Sequence, residues 1–443
     1  MYHSVFDIFR IGPGPSSSRL LGPYRAAQQF LHVLSAEGRL TQCARLDIRM
    51  YGALALAGRD LGADGALLAG LHGQPAERCD WATLAELCRR IDAEARLHLG
   101  GRHAIVFDRN ADLRYSVSHS LGDDVGGVRF EAFDASGQSI ASRLYCCTSF
   151  GDVIDADQPV PRVELPLPFA YDNAAELLAV AALHRKKIAE IVRSNECAHR
   201  SPSEVRAGLL RIASTMCTSV ERGVAAASGR LPGSNVSRRA ALQKAAMTGT
   251  EVPVHLCALY ATAVAEESAG GAAVASAPTL GSAGPVAALL VQWQSTRAAN
   301  PEERMVDFLL AAGAIGGVLR NAGLRAAGCQ SAVGAAAAMA AAGYVAASGG
   351  SNAQIAWAAE RALDRHVNLS CDSRDARVQQ PCIERNGAGA AIAYTAAQDA
   401  LRQPDPRIGI DSVAASMVAA ARAMTSRPKS GSFAGVAVNV MDC

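Results

Sequence analysis

Four cysteines lie in sequence contexts that favour chemistry over packing. The chain has twelve cysteines, and a cysteine is by default a small buried hydrophobe. Cys329 lies in GCQSAVG, Cys371 and Cys382 share the polar segment SCDSRDARVQQPCIERN, and Cys443 is the last residue. A terminal cysteine is poorly explained by packing. We therefore treat these four thiols as candidate functional groups.

Several other chemical motifs are absent from the sequence. There is no GxxxxGK[ST], no HExxH, no close CxxC pair and no GxSxG. The sequence thus predicts neither a P-loop nor a standard zinc site. The N-terminus meets a charge at Asp7 and has no signal-peptide pattern. We expect a cytoplasmic protein with reduced cysteines and no disulfide framework.

The composition indicates a folded protein without a nucleic-acid or membrane partner. Hydrophobic residues make up 50% and charged residues 19% of the chain, which excludes extensive disorder. The 43 basic and 41 acidic residues leave a net charge of +2, too little for a nucleic-acid binder. The uncharged stretches 268–293 and 331–347 lack the large apolar side chains of a membrane span. The basic run SRRAALQK (237–244) is interpreted as a solvated helix face.

The elements that must position the cysteines form a multidomain α+β protein. Residues 1–155 combine the helical spacing of YRAAQQFLHVLSAEG with the strand-like runs HAIVFD, VGGVRFEAFD and ASRLYCC. Residues 156–170 are rich in proline and are predicted to be a linker. Residues 171–443 are predicted to be all-helical. The abundance of alanine and glycine predicts helices that pack closely through small side chains.

Four segments of the chain are similar to motifs of one enzyme family. The segment GPSSSRLLGPYRAA, which begins at Gly14, resembles GPSSSHTVGP of the iron–sulfur L-serine dehydratases of the single-chain bacterial type. GCQSAVG resembles GCQGEVG, CDSRDARVQQPCIERN resembles CDPxGGxVQxPCIERN, and VAVNVMDC resembles AVNVxxC. These segments occur in the family's order over essentially the whole chain.

The resemblance implies an N-terminal α+β domain of substrate-binding type and an all-helical catalytic domain that holds a 4Fe–4S cluster. It implies Cys329, Cys371 and Cys382 as cluster ligands, with Cys443 as a ligand from the chain end. Three thiolates leave one iron open as a Lewis acid. An amino-acid substrate and a homodimer are also implied. Candidate groups for the substrate carboxylate near the cysteines are Ser370, Asp372, Arg374, Arg385 and Asn386.

The chain departs from the family at three histidine positions. Arg19, Leu61 and Asp124 stand where the family has histidine. Leu61 replaces the family's usual candidate base, and leucine cannot transfer a proton, so the family mechanism cannot run unchanged. The candidate replacement bases are Asp60, Asp64, Asp124 and His72. As alternatives, Asp64 is a helix cap and His72 a surface or capping residue.

Arg19 and the serine run before it are candidate substrate-binding groups. Arg19 is suited to bind a second carboxylate or a phosphate in a bidentate way, or it forms an ordinary ion pair. Ser16, Ser17 and Ser18 are able to donate hydrogen bonds to a carboxylate, or they form a helix cap.

The sequence therefore predicts a lyase that eliminates the β-substituent of a β-hydroxy or related amino acid. With L-serine, loss of water would give pyruvate and ammonia. The alternative is a catalytically silent paralogue that binds an amino acid or partners an active subunit. An isomerase or racemase requires two opposed bases, and the sequence offers no clear pair.

Overall fold

The chain forms two compact units in the computed structural model. The α+β unit contains Gly12–Val163 and Gly271–Ala273, and the helical unit contains Met1–Ile11, Glu164–Gly270 and Val274–Cys443. The structure describes residues 2–116, 126–158, 166–232, 234, 236–296, 300–324, 328–367, 378, 380–402 and 408–423, without the side chains at 53, 57, 60, 328–330 and 421–423.

The α+β unit is built around a five-stranded sheet. The first eight strands are β1 (Ile11–Pro13), β2 (Arg45–Gly52), β3 (Arg96–Leu99), β4 (His103–Val106), β5 (Leu113–Ser116), β6 (Gly126–Phe133), β7 (Ser139–Cys147) and β8 (Val153–Asp155). The helices are α2 (Gly22–Ala36), α3 (Ala53–Ala57), α4 (Ala63–His72), α5 (Trp81–Glu94) and α6 (Arg109–Asp112). The sheet order is β5-β2-β6-β7-β8, and only the β2–β5 pair is parallel. β3 and β4 form a separate antiparallel pair.

The core of this unit lies between the sheet and α2. Alternate residues of β6, including Val128 and Phe130, are buried, as expected for a sheet with one face covered. The rings of Phe30 on α2 and Phe130 stack with their centroids 4.9 Å apart. A β-carbon at Gly22 would lie 2.8 Å from that of Cys147, so glycine permits α2 to begin close to β7.

The helical unit is a bundle with an alanine-rich helix inside it. Its helices are α1 (Val5–Ile8), α7 (Ala174–Leu183), α8 (Ile188–Cys197), α9 (Pro202–Ala225), α10 (Ala240–Ala245), α11 (Pro253–Ala269), α12 (Gly284–Gln294), α13 (Pro301–Asn321), α14 (Gly328–Ala347), α15 (Asn352–Asp364), α16 (Gln380–Arg402) and α17 (Ile410–Ala423). α14 packs against α12, α13, α15 and α16. Every residue from Val333 to Ala347 is buried. A β-carbon at Gly343 would lie 2.7 Å from Phe308, so small residues set the helix spacing.

The N-terminal segment belongs to the helical unit, although the sequence assigned residues 1–11 to the first domain. Glu196, 1% exposed, accepts hydrogen bonds from the hydroxyls of Tyr2 and Ser4 and from the backbone N–H of Val5. A β-carbon at Gly313 of α13 would meet Val5 at 2.6 Å. These buried contacts hold the segment among the helices. The stretch is too short for its hydrophobic periodicity to predict them.

The predicted α+β region and the mostly helical region are confirmed, as is the close helix packing through small residues. One short strand, β9 (Ala273–Ala275), interrupts the region predicted to be all-helical and pairs with β1. Across the described ranges, no helix combines the length and the hydropathy that a membrane span requires.

Candidate active site

The serine run, residues 16–18, lies shortly before the start of α2. Ser17–Leu21 makes one π-helical turn that leads directly into that helix. Ser16 Oγ accepts a hydrogen bond from the backbone N–H of Arg19 at 3.2 Å, and Ser18 Oγ lies 3.4 Å from it. Ser16 thus caps the turn, one of the two roles considered for the serines. Substrate binding by the serines and by the half-buried Arg19 remains a prediction.

Leu61 ends a 3-10 turn, Arg59–Leu61, directly before α4. Gly62 follows with φ of +78°, a left-handed conformation that glycine adopts without strain and that turns the chain into the helix. The side chain of Asp60 lies outside the described part of the chain, as does the whole of Asp124.

Asp64 lies in the first turn of α4 but makes no capping hydrogen bond. Its Oδ2 accepts a hydrogen bond from Nη1 of Arg109 at 2.8 Å. Arg109 also donates to both carboxylate oxygens of Asp92, at 3.0 and 2.6 Å. The helix-cap alternative for Asp64 is therefore wrong. This carboxylate is one member of an ion-pair network that joins α4, α5 and α6.

His72 is the last residue of α4, whereas Leu61 precedes the first residue of the same helix. The ten residues of α4, which end at His72, form a helix about 15 Å long, so no flexible loop brings His72 back to Leu61. His72 Nε2 accepts a hydrogen bond from Arg90 Nη2 at 3.2 Å. Burial, and then the charge of Arg90, lowers the pKa of His72.

Two of the four candidate cysteines lie in the first turns of neighbouring helices. Cys329 is the second residue of α14, and Cys382 is the third residue of α16. The two helices pack against each other, and the partial positive charge at a helix N-terminus stabilises a thiolate. Cys371, Asp372 and Cys443 lie outside the described residues, as does the side chain of Cys329.

Asn386, one turn after Cys382, joins α16 to the loop before α12. Its Oδ1 accepts from the backbone N–H of Gly284 at 3.2 Å. Its Nδ2 donates to the carbonyl oxygens of Gly281 and Cys382, at 3.0 and 3.1 Å. The side chain is 1% exposed. The structure therefore shows Asn386 bracing the backbone beside Cys382.

Arg385, three residues after Cys382 on α16, has a buried hydrogen-bond donor. It is partly buried, and its Nη1 has no hydrogen-bond partner among the described residues. A buried guanidinium nitrogen without an acceptor is costly. An anionic ligand near Cys382 would supply the acceptor.

The loop before α10 also brings arginines to the start of α16. Arg238 Nη2 pairs with the buried Glu267 at 3.0 Å, so interpreting SRRAALQK as a solvated face was wrong for Arg238. Arg239 Nη1 lies 3.5 Å from Glu384 Oε1 on α16. The pairing of Arg238 with Glu267 could have been predicted from the sequence of α11. This helix is nearly uncharged apart from Glu266 and Glu267, and two adjacent glutamates require partners once they are buried.

His366 is a further residue that the sequence analysis missed. It is 3% exposed, and a β-carbon at Gly334 of α14 would lie 2.8 Å from its own. Its Nδ1 lies 2.8 Å from the carbonyl oxygen of Ala362, which only accepts, so the proton is on Nδ1. Burial lowers the pKa of His366, which keeps the ring neutral at pH 7.

Cys382 is the one candidate ligand whose side chain the structure describes, and its position is compatible with an iron–sulfur cluster. Thiolates at helix N-termini are suited to iron ligation, and the buried Nη1 of Arg385 fits the negative charge that a thiolate-bound cluster carries. Among the described residues, no group of three or more histidine, cysteine, aspartate or glutamate side chains forms a ready metal site.

Family models match both parts of the chain. Residues 4–158 match the serine dehydratase beta chain model, and residues 183–437 match the serine dehydratase alpha chain model. The chain belongs to the serine dehydratase family.

Curated relatives match the chain from end to end. An L-serine dehydratase of Streptomyces coelicolor is 35% identical to it over 99% of both chains. An L-serine dehydratase of Mycobacterium bovis is 35% identical over 99% of this chain and 98% of its own. One of Helicobacter pylori is 33% identical over 98% of both.

Proposed function

We propose that the protein is an iron–sulfur-dependent lyase that removes the β-substituent of a β-hydroxy or related amino acid. With L-serine, the products would be pyruvate and ammonia. The observation that carries the proposal is the position of Cys329 and Cys382 in the first turns of α14 and α16. Full-length similarity to L-serine dehydratases supports it.

Cys329, Cys371 and Cys382 would hold a 4Fe–4S cluster, and Cys443 would supply an exchangeable fourth thiolate from the chain end. When bound, the cluster supplies a Lewis acid that makes hydroxide a better leaving group. Arg385 would bind the substrate carboxylate through its Nη1, because that donor lacks an acceptor. Asn386 would hold the first turn of α16 in place rather than contact substrate.

The α-proton would be removed by a carboxylate of the α+β unit, since Leu61 has no basic group. Asp60 and Asp124 are the stronger proposals. Asp64 is engaged by Arg109, and His72 lies at the far end of α4. Ser17, Ser18 and Arg19 remain proposed contacts for substrate, with Arg19 selecting a second negative charge. We also propose that the protein is cytoplasmic and that it forms a homodimer. Light scattering of the purified protein would test the dimer.

The silent paralogue is the second proposal. Two points favour it: the resemblance implies that Leu61 replaces the family's base, and Asp64, a candidate substitute, is bound by Arg109. Such a protein would bind an amino acid or partner an active subunit without turnover.

Anaerobic reconstitution with iron and sulfide, followed by a product screen, separates the two proposals. The protein would be incubated with serine, threonine, cysteine and aspartate-like β-hydroxy acids, and ammonia and 2-oxo acid would be assayed. Release from serine supports the family reaction with a new base. Release only from a dianionic substrate makes Arg19 the specificity residue. A stable cluster with no turnover of any substrate supports the silent protein.

A further inference from the structure

The loop before α10 packs against the opening turn of α16, residues 380–384, which carries Cys382. Ile383 in this turn is 1% exposed and packs with Leu231 of the loop and Ala265 of α11. A helix end that stood alone would fray, because its first backbone groups lack partners within the helix. The turn that carries the proposed cluster ligand is instead held by neighbouring parts of the chain.

Arg239 contacts this turn at both of its ends. Its Nη1 lies 3.5 Å from Oε1 of Glu384. In the amide orientation that satisfies both of its polar atoms, Gln380 accepts a hydrogen bond from Nε of Arg239 at 3.3 Å and donates one to the carbonyl oxygen of Ser237 at 3.2 Å. Residues four apart lie on one face of a helix. One guanidinium group therefore bridges the two ends of that face.

Cys382 lies on the other side of the helix from these contacts. With 3.6 residues per turn, it is about 200° around the helix axis from Gln380. The contacts of Arg239 therefore restrain the turn without occupying the side that carries the half-buried thiol.

The backbone of Arg239 is itself held by a buried carboxylate. Glu266 on α11 is 0% exposed and accepts hydrogen bonds from the backbone N–H groups of Arg239 and Ala240. The preceding Arg238 pairs with Glu267, the next residue of α11. Buried carboxylates need such donors. The Arg239 side chain thus extends to α16 from a backbone position that α11 determines.

We propose that Arg239 is a positioning residue for the iron–sulfur cluster, which holds the opening turn of α16 so that the Cys382 thiolate stays on its iron. This role rests on the proposed function, since it requires a cluster at Cys382. Arg239 and Glu384 are 54% and 53% exposed, and an ion pair between exposed groups adds little to the stability of a fold. Groups that orient a metal ligand, in contrast, change metal affinity by about 10- to 100-fold.

The rate of iron release from the reconstituted full-length protein to a colorimetric chelator, measured without oxygen, tests this role. Arg239→Gln should release iron about tenfold faster, with an unchanged midpoint of thermal unfolding. Arg239→Lys should restore part of the retention, because an ammonium group pairs with Glu384 but cannot also bridge to Gln380. Arg361→Gln is the matched control and should release iron at the wild-type rate, since Arg361 pairs with Asp399 farther along the same helix, at 2.8 Å.

The outcomes separate this role from the proposed function. Wild-type iron release in Arg239→Gln would overturn the role and leave the proposed function standing. Faster release together with a lower unfolding midpoint would also overturn it, because Arg239 would then stabilise the fold in general. If the wild-type protein takes up no iron, the proposed function and this role fail together. If Arg239→Gln does not fold, Glu384→Gln decides. It removes only the exposed ion pair and should speed release about threefold, and an unchanged rate would overturn the role.

Discussion

At position 61, a leucine precedes α4, and the proposed function therefore requires another residue to remove the α-proton. The side chain is only partly buried, so a polar group there would not be sealed in the core. A substitution at residue 61 is therefore the simplest test of whether the protein has lost lyase activity or uses another residue as the base.

We predict that Leu61→His raises ammonia release from serine by about 100-fold or more if the native base is missing, as positioned acid–base groups contribute on this scale. Leu56→His is the matched control, because Leu56 is 70% exposed on the neighbouring α3. An unchanged rate in Leu61→His, alongside substantial wild-type turnover, would show that another residue already serves as base.

We predict that Cys382→Ser abolishes the brown absorbance and lowers iron content after reconstitution, because serine cannot replace a thiolate ligand. Cys217→Ser is the control: the Cys217 thiol donates to Gln294 Oε1 at 3.2 Å, a contact that a hydroxyl can keep. Full iron content in Cys382→Ser would remove this cysteine from the ligand set.

At the scale of elements, helix α16 depends on one amide for its link to the loop before α12. We predict that Asn386→Ala lowers the free energy of unfolding by about 2 to 3 kcal/mol, because three hydrogen bonds are lost and buried groups remain unsatisfied. Thr395→Ala on the exposed side of the same helix should change it by less than about 0.5 kcal/mol. Normal stability with a raised KM would instead identify Asn386 as a substrate contact.

The contact between α14 and the end of α15 contains a histidine that must stay neutral. Burial lowers the pKa of His366 below its usual 6.5. Below about pH 6.5, His366 therefore binds a proton more readily in the unfolded chain than in the folded chain. The free energy of unfolding decreases as the pH falls below about 6.5. We predict a smaller loss between pH 7.5 and 5.5 for His366→Asn, measured by denaturant unfolding. Parallel pH profiles for the two proteins would contradict this.

The elements themselves were largely predictable, whereas their side-chain partners were not. The helix in YRAAQQFLHVLSAEG and the strand in VGGVRFEAFD follow from apolar spacing, and they appear as α2 and β6. The pairing of Asp64 with Arg109 joins residues 45 positions apart, and no local pattern encodes it. The cysteine motifs indicated a cluster and a helix that begins at GCQSAVG, and the structure adds that α14 and α16, which carry Cys329 and Cys382, pack against each other.

At the scale of the whole molecule, the first residues are anchored far along the chain, in α8. We predict that Glu196→Ala lowers the free energy of unfolding by about 3 kcal/mol, since Tyr2, Ser4 and Val5 lose their acceptor. Amide hydrogen exchange at Val5–Ile8 should become faster. Arg200→Ala, which removes a partly exposed partner of Glu196 and the cation–π contact with Phe6, should cost at most about 2 kcal/mol. Unchanged exchange in Glu196→Ala would mean that apolar contacts alone hold the segment.

The buried alanines of α14 have a consequence for the entropy of folding. Alanine has no side-chain rotamers to lose, so ordering the seven alanines between Ala335 and Ala342 costs only backbone freedom, whereas Met339 among them also loses side-chain rotamers. A core of leucines would bury more area but would freeze many torsions and leave room for alternative rotamers. The helix that carries Cys329 thus orders most of its buried residues at little cost in side-chain entropy.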